Sequence, residues 1–403
     1  MPSTTLRPVA EHRAAVAALI ARTQVESRPL TDCLGLVLAE DLRAAISLPP
    51  FDNSAMDGYA VLAADIATAS EDAPVVLPVA EDVPAGRTDS PALVPGTAHR
   101  IMTGAPVPPG ADAVVQVELT DGGVERVAVR QAREAGAHIR RAGEDVRAGA
   151  TVLTAGTRLG APELGLAAAV GAGELPVHRK PSVLVLSTGS ELVEPGKPLR
   201  HGQIYESNGV MLAAAVEQAG CSARLLRFVP DDVEQFHAAL APHLSTVDLV
   251  LTSGGVSAGA YEVVKDAFSG RGVDFVKVAM QPGMPQGAGT YEGTPVITLP
   301  GNPVSSLVSF EVFVRPALRA AAGDADPGRP TRRARLTEPL RSALGKRQYR
   351  RGFHDADANT VSVVGGPGSH LLSALSASNC LMEITEDETD LKAGAEVTVL
   401  LTR

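Results

Sequence analysis

The stretch VLVLSTGSEL, from Val183 to Leu192, decides how the second half of this 403-residue chain is read. Four apolar residues in a row suit a strand covered on both faces, and not one with a wet side. Small hydroxyls, a glycine and an acid follow at once. The same grammar recurs twice, where VDLVL (247–251) runs into LTSGGVSAG (251–259) and PVITL (295–299) runs into LPGNPVSS (299–306). Two more apolar runs lie at 225–229 and 273–278. Each run except 273–278 is soon followed by a helical pattern. Asn208 precedes GVMLAAAVEQA, which Gly220 closes; Asp231 with Glu234 opens VEQFHAAL in the manner of a capping box; Asn302-Pro303 supplies an N-cap and a first-turn proline. Strand and helix in alternation predict a parallel sheet with helices on both faces.

Open parallel sheets take their ligands beyond the carboxyl ends of the strands. The three loops place Ser187, Thr188 and Gly189, then Ser253, Gly254, Gly255 and Ser257, then Gly301, Asn302 and Ser305 at those ends. Glycines allow close backbone approach, and free N–H groups with hydroxyls suit phosphate-like anions. A single such loop is as often plain turn chemistry; three on one sheet edge favour a site. None matches a P-loop or a G-x-G-x-x-G fingerprint. Glu191, Asp231, Asp232 and Glu262 lie close by, and carboxylates beside phosphates call for a bridging cation such as Mg²⁺. Asp231 also reads as a helix cap and Glu262 as a first-turn residue favoured by the dipole. Glu191 is the hardest to explain structurally.

Outward from the sheet, residues 9–24 carry a helical pattern, and 161–172 a second one expected to pack beside it. Between them, short β-prone runs alternate with Pro/Gly clusters, an all-β texture. The expected plan has an N-terminal helical/mixed domain from 1–45 and 146–178, an inserted β-rich domain at 46–145, an α/β domain at 179–325 and a β domain at 326–403, with a linker at 323–330. The opening of the insertion, PPFDNSAMDGYAV (49–61), reads locally as turn chemistry. A net charge of −10 disfavours nucleic acid, which needs cations against phosphate, and 3% aromatics without Trp leaves no stacking surface. Cys33, Cys221 and Cys380 fit neither a disulfide framework nor a zinc spacing. No run reaches the roughly 18 apolar residues of a membrane span, and no signal peptide is read, so a cytoplasmic protein is expected. Neither a nucleophilic triad nor H-E-x-x-H is present, and His370 is a lone histidine after a glycine turn.

PPFDNSAMDGYAV, IMTGAPVPPGADAVV, GEDV, LSTGSELVEPG, GQIYESNGVML, TSGGVSAG, LPGNPVSS and GSHLLSAL occur here in the order that resembles molybdopterin molybdenumtransferases of the MoeA type, which include the C-terminal domain of gephyrin. The match spans roughly residues 7–400. The resemblance implies a multidomain α/β plus β protein: a three-layer α/β molybdopterin-binding domain, an inserted all-β domain, a small N-terminal domain and a C-terminal β-barrel-like domain. It implies a homodimer that takes adenylated molybdopterin and molybdate, uses Mg²⁺ and releases AMP, between an upstream molybdopterin adenylyltransferase and recipient molybdoenzymes. It assigns Asp57 and Thr103 to a cleft shared with the partner subunit, and Glu191, Asp231 and Glu262 to the nucleotide and Mg²⁺. Asn302 and Ser305 would hold phosphate or pterin, Arg351 and Ser369 would face molybdate, and Lys277 would be a cleft cation. Asp145 would order the hinge into the insertion, while Asp52 stays a turn residue. One departure is plain. Where the family commonly shows Lys-Pro-Gly-Lys-Pro, this chain has Gln281-Pro282-Gly283-Met284-Pro285. That change leaves open a non-catalytic pterin-binding scaffold, or a paralogue with adenylylation activity or another oxyanion such as tungstate.

Overall fold

The computed structural model describes residues 6–89, 91–229, 232–255 and 263–403. Its centre is a six-stranded sheet in the order Ser222–Val229, Ser182–Thr188, Leu249–Ser253, Thr294–Leu299, Pro285–Tyr291, Val273–Lys277. The first four strands are parallel. Successive side chains leave opposite faces, so each apolar run feeds two cores. Val183, Val185, Leu249, Leu251 and Ile297 pack under the helices Asn208–Gln218 and Pro303–Ser309. Leu184, Leu186, Val250 and Val296 face Val233–Leu244 and Val263–Phe268. Each fully buried branched side chain contributes about 1.5–3 kcal/mol, so both helical layers are held firmly.

One strand departs from the expected parallel sheet. Pro285–Tyr291 runs antiparallel to both its neighbours, Thr294–Leu299 and the edge strand Val273–Lys277. PQGAGTY shows no apolar run, because its glycines serve close approach: a Cβ on Gly289 would lie 2.0 Å from Gly272 O. A second correction concerns the helices of the N-terminal region. The first ends at Leu19 and not at 24. It does not pack beside Ala161–Ala169. Val9, Val16 and Ile20 enter the sheet-face core, with His12 edge-on to Phe313 at 4.8 Å. Ala167 of the other helix joins Cys33, Leu38, Leu175 and Val177 in a separate cluster. The strand Val25–Pro29 pairs antiparallel with Glu174–His178, whose Leu175 and Val177 belong to that second cluster.

The chain enters and leaves the β insertion at one stem, where Leu48 pairs with Val146. Within it a five-stranded sheet runs Ala113–Gln116, Gly58–Val61, Ala98–Ile101, Val75–Val83, Arg126–Val129. Gly58 of the MDGYA motif is required by approach alone, since a Cβ there would lie 1.9 Å from Val115 O. At the C-terminal end, Arg347–Asp355, Thr360–Val363, Thr331–Leu336, Glu396–Leu401 and Cys380–Ile384 form a closed ring, because the last strand pairs back to the first. Met280–Gln281 is added parallel to Arg347–Gln348 on its outside. The expected linker is pinned: Asp324 accepts from Arg158 and Arg319, and Arg329 grips Glu311 with two bonds of 2.8 Å.

Candidate functional site

The three strand-end loops converge. Ser187 to Glu191, Ser253 to Gly255, and Gly301 to Pro303 line one cleft of about 820 Å³. Gly254 and Gly255 make the middle turn at φ +95° and +65°, a region that side-chain-bearing residues rarely adopt. Asn208 fastens the loops together. Read from sequence as a helix cap, it instead donates from Nδ2 to Ser253 Oγ (2.8 Å) and Gly301 O (2.6 Å), while Ser207 holds the cap position. The third loop is fixed from its other side by Val304 N–H donating to Ser369 O at 3.1 Å.

Among the described residues two carboxylates line this cleft, Glu191 and Glu206. Glu191 folds over Gly189, its Oε2 lying 2.6 Å from where a Cβ would stand, and Gly189 has φ +149°, a conformation side-chain-bearing residues rarely adopt. Glu206 was missed by sequence reasoning. It is 3% exposed, and its Oε1 accepts both the Ser187 hydroxyl (3.0 Å) and the Gly209 N–H (2.5 Å). The available signal was an acid just before a helix start in IYESNG, which by itself reads as first-turn chemistry. The helix from Val233 is capped by Asp232, whose carboxylate accepts from Gln235 N at 2.9 Å. Asp231, Ser257 and Glu262 lie outside the described residues. Among the described residues, no group of three or more His, Cys, Asp or Glu is gathered as for a metal.

Other predicted residues are placed elsewhere. Ser305 is 4% exposed and is not among the residues that line the cleft. Lys277 is exposed on the antiparallel edge strand, paired with Pro285 and two strands from the nearest cleft loop. Arg351, 5% exposed, donates to the carbonyls of Val364 (3.4 Å), Gly366 and Gly368 (3.1 Å). Burial, then the neighbouring Arg350, lowers its pKa. It thereby shapes the loop that carries Ser369 to the third cleft loop. Beside it, Gln281, Arg350 and Gly365 enclose only about 10 Å³, one water's worth.

Asp57 and Thr103 form a unit of their own on the insertion. Asp57 Oδ1 accepts the Thr103 N–H (2.6 Å) and hydroxyl (2.8 Å), and those bonds hold its carboxyl below the usual range. Neither residue lines the cleft of its own chain. Asp52 is a structural residue, bound to Arg141 (2.6 Å) and the Ala142 N–H (2.8 Å). Asp145 is exposed and joins the stem through its backbone, N–H to Leu48 O at 3.0 Å. Cys33, Cys221 and Cys380 are all buried and unpaired with one another. Among the described residues no helix is long and apolar enough to cross a membrane.

Comparison with known proteins matches this architecture throughout. Family models described as "MoeA N-terminal region (domain I and II)", "Probable molybdopterin binding domain" and "MoeA C-terminal region (domain IV)" match residues 7–171, 184–320 and 333–402. The chain is 57% identical over 401 residues to molybdopterin molybdenumtransferase 2 of Mycobacterium tuberculosis, covering 98% of this chain and 99% of that one. It is 38% identical over 385 residues to the molybdopterin molybdenumtransferase of Haemophilus influenzae, covering 94% of each. A crystal structure of a molybdopterin biosynthesis MoeA protein from Pyrococcus horikosii superposes with a TM-score of 0.82 at 33% identity, over 99% of this chain and 100% of that one.

Proposed function

Because the chain belongs to the molybdopterin molybdenumtransferase family and is a transferase of molybdenum cofactor biosynthesis, we propose that it takes adenylated molybdopterin and molybdate in a Mg²⁺-dependent reaction that releases AMP. The observation that supports this reading is the convergence of three strand-end loops on one cleft. Backbone N–H groups at those ends suit the phosphates of a nucleotide-linked pterin. Displacement at phosphorus relies on position and charge more than on covalent help from side chains.

On the first cleft loop the donors are oxygens: the Glu191 carboxylate with the hydroxyls of Thr188 and Ser190. Such a set fits a hard cation and not a soft one. Mg²⁺ bound there would neutralise phosphate charge, with Glu191 as its ligand and Asp231 and Glu262 as the further carboxylates. Asn208 holds the second and third loops in register so that both reach the same phosphates. Arg351 acts through the loop it shapes, keeping Ser369 at the third cleft loop. Lys277 and Ser305 supply charge and helix packing from behind. We further assign Asp57 and Thr103 to the cleft of a second copy in a homodimer, because their clasp is exposed and lies off the cleft of its own chain.

The test follows AMP release from adenylated molybdopterin with Mg²⁺ and molybdate. Wild type should release AMP, whereas Asp57→Ala and Glu191→Ala should each lose at least about a hundredfold, the scale for removing a group that stabilises developing charge. Turnover by both variants at the wild-type rate would overturn these assignments.

A further inference from the structure

Glu206 is a buried carboxylate that the functional reading leaves without a task. One oxygen is saturated, since Oε1 accepts both Ser187 Oγ–H and Gly209 N–H. Oε2 takes no donor among the described residues, although the side chain lines the cleft and is 97% removed from solvent, its exposure being 3%. The hydroxyl of Ser187 is the donor in that pair. Ser187 therefore turns lone pairs, not a proton, toward a ligand. Oε2 and Ser187 Oγ each lie 3.0 Å from the point where a Cβ on Gly209 would stand, so both acceptors border the same small space. The cleft lining thus offers two kinds of polar group: loop N–H groups for anions, and a pair of acceptors at Glu206 and Ser187.

We propose that Glu206 and Ser187 recognise the N–H edge of the pterin ring, an assignment that rests on the functional reading above. A 2-amino-4-oxopteridine presents N3–H and a 2-amino hydrogen next to each other, two donors for two acceptors. Adenine alternates donor and acceptor along each edge, so one of its lone pairs would meet an acceptor. A phosphate or molybdate oxygen would be repelled by the same carboxylate. Glu206 is accordingly a specificity residue for the heterocycle, and Gly209 holds it in place: its N–H fixes Oε1, and a side chain there would meet Leu225 Cδ1 at 2.8 Å.

The wild-type protein gives the first test, by fluorescence titration with 6-hydroxymethylpterin and with its N3-methyl analogue. A hydrogen bond to a charged group contributes about 1.5–3 kcal/mol, so the methylated ring should bind about ten- to a hundredfold more weakly. Glu206→Gln exchanges one acceptor for a donor at constant volume. It should lose pterin affinity by a similar factor while AMP binding stays within about twofold. Equal affinity for the two pterins, or parallel loss of pterin and AMP in the variant, would overturn the assignment while leaving a pterin-binding enzyme. Absence of binding to either pterin would overturn the functional reading and this one with it. Should Glu206→Gln fail to fold, the two-pterin comparison on wild type decides alone.

Discussion

The cleft at the strand ends and the corner around Arg351 are both built from glycine-rich loops, yet they handle charge in opposite ways. The cleft is open, about 820 Å³, and keeps hydroxyls and carboxylate oxygens available to a ligand. The corner encloses about 10 Å³, and its arginine is committed to the carbonyls of the 364–368 loop. Gln281 and Met284, where the family pattern carries lysines, add no cation there. One region is arranged to bind; the other is arranged to hold a binding loop still. A buried guanidinium is costly unless its donors are met, and here backbone oxygens meet them.

The sharpest way to break this contrast is to remove the guanidinium. Arg351→Ala should destabilise the protein by about 3 kcal/mol, because buried carbonyls lose their donors, whereas Lys277→Ala on the exposed edge strand should stay within about 0.5 kcal/mol. Urea unfolding of the two variants measures both. If they match, Arg351 is no structural clamp. Next in size is Asn208→Ala. Losing two bonds between cleft loops should lower kcat/KM about thirtyfold, roughly 2 kcal/mol of positioning, with little change in urea midpoint. A variant that unfolds early but turns over normally would place Asn208 in the scaffold and not in the site.

A smaller effect sharpens the corner. Restoring both cations, Gln281→Lys with Met284→Lys, should lower the molybdate KM about fivefold, near 1 kcal/mol for an exposed ion. An unchanged KM would mean that oxyanion capture does not occur at this corner. The smallest effect is a titration. Thr103→Val removes one donor from Asp57, so the Asp57 carboxyl should titrate higher than in wild type, followed by carboxylate NMR. The sign follows from the clasp. A carboxyl held low by hydrogen bonds contributes most above the ordinary carboxylate range, and that contribution fades as pH falls through its folded value. No upward movement in the variant would show that the hydroxyl bond is not made in solution.

The cleft was legible in the sequence because its grammar is local. An apolar run must be covered, and the small residues that end it must sit at a sheet edge, so Ser187, Gly254 and Gly301 declared themselves. What stayed hidden depended on partners distant in the chain. Glu206 matters through Ser187, and Asn208 through Ser253 and Gly301, but each looked like helix-start chemistry in its own segment. Pro285–Tyr291 was invisible as a strand because its glycines answer to neighbouring backbone and not to a hydrophobic period. The helix at Val9–Leu19 was legible as a helix, but its partner, the sheet-face core with Phe313, lies far away in the chain. Asp57 and Thr103 were named apart by resemblance; their mutual clasp is a property of the fold alone.

The claim on which the rest depends is that a working site needs loops from one protomer and the Asp57 clasp from another. Asp57→Ala and Glu191→Ala protein should be unfolded together, refolded as an equal mixture and assayed for AMP release. Random pairing makes half the dimers mixed, each with one intact site of two, so the account predicts about a quarter of wild-type activity from two inactive parents. A mixture as inactive as its components would contradict it, since both residues would then have to serve the same chain.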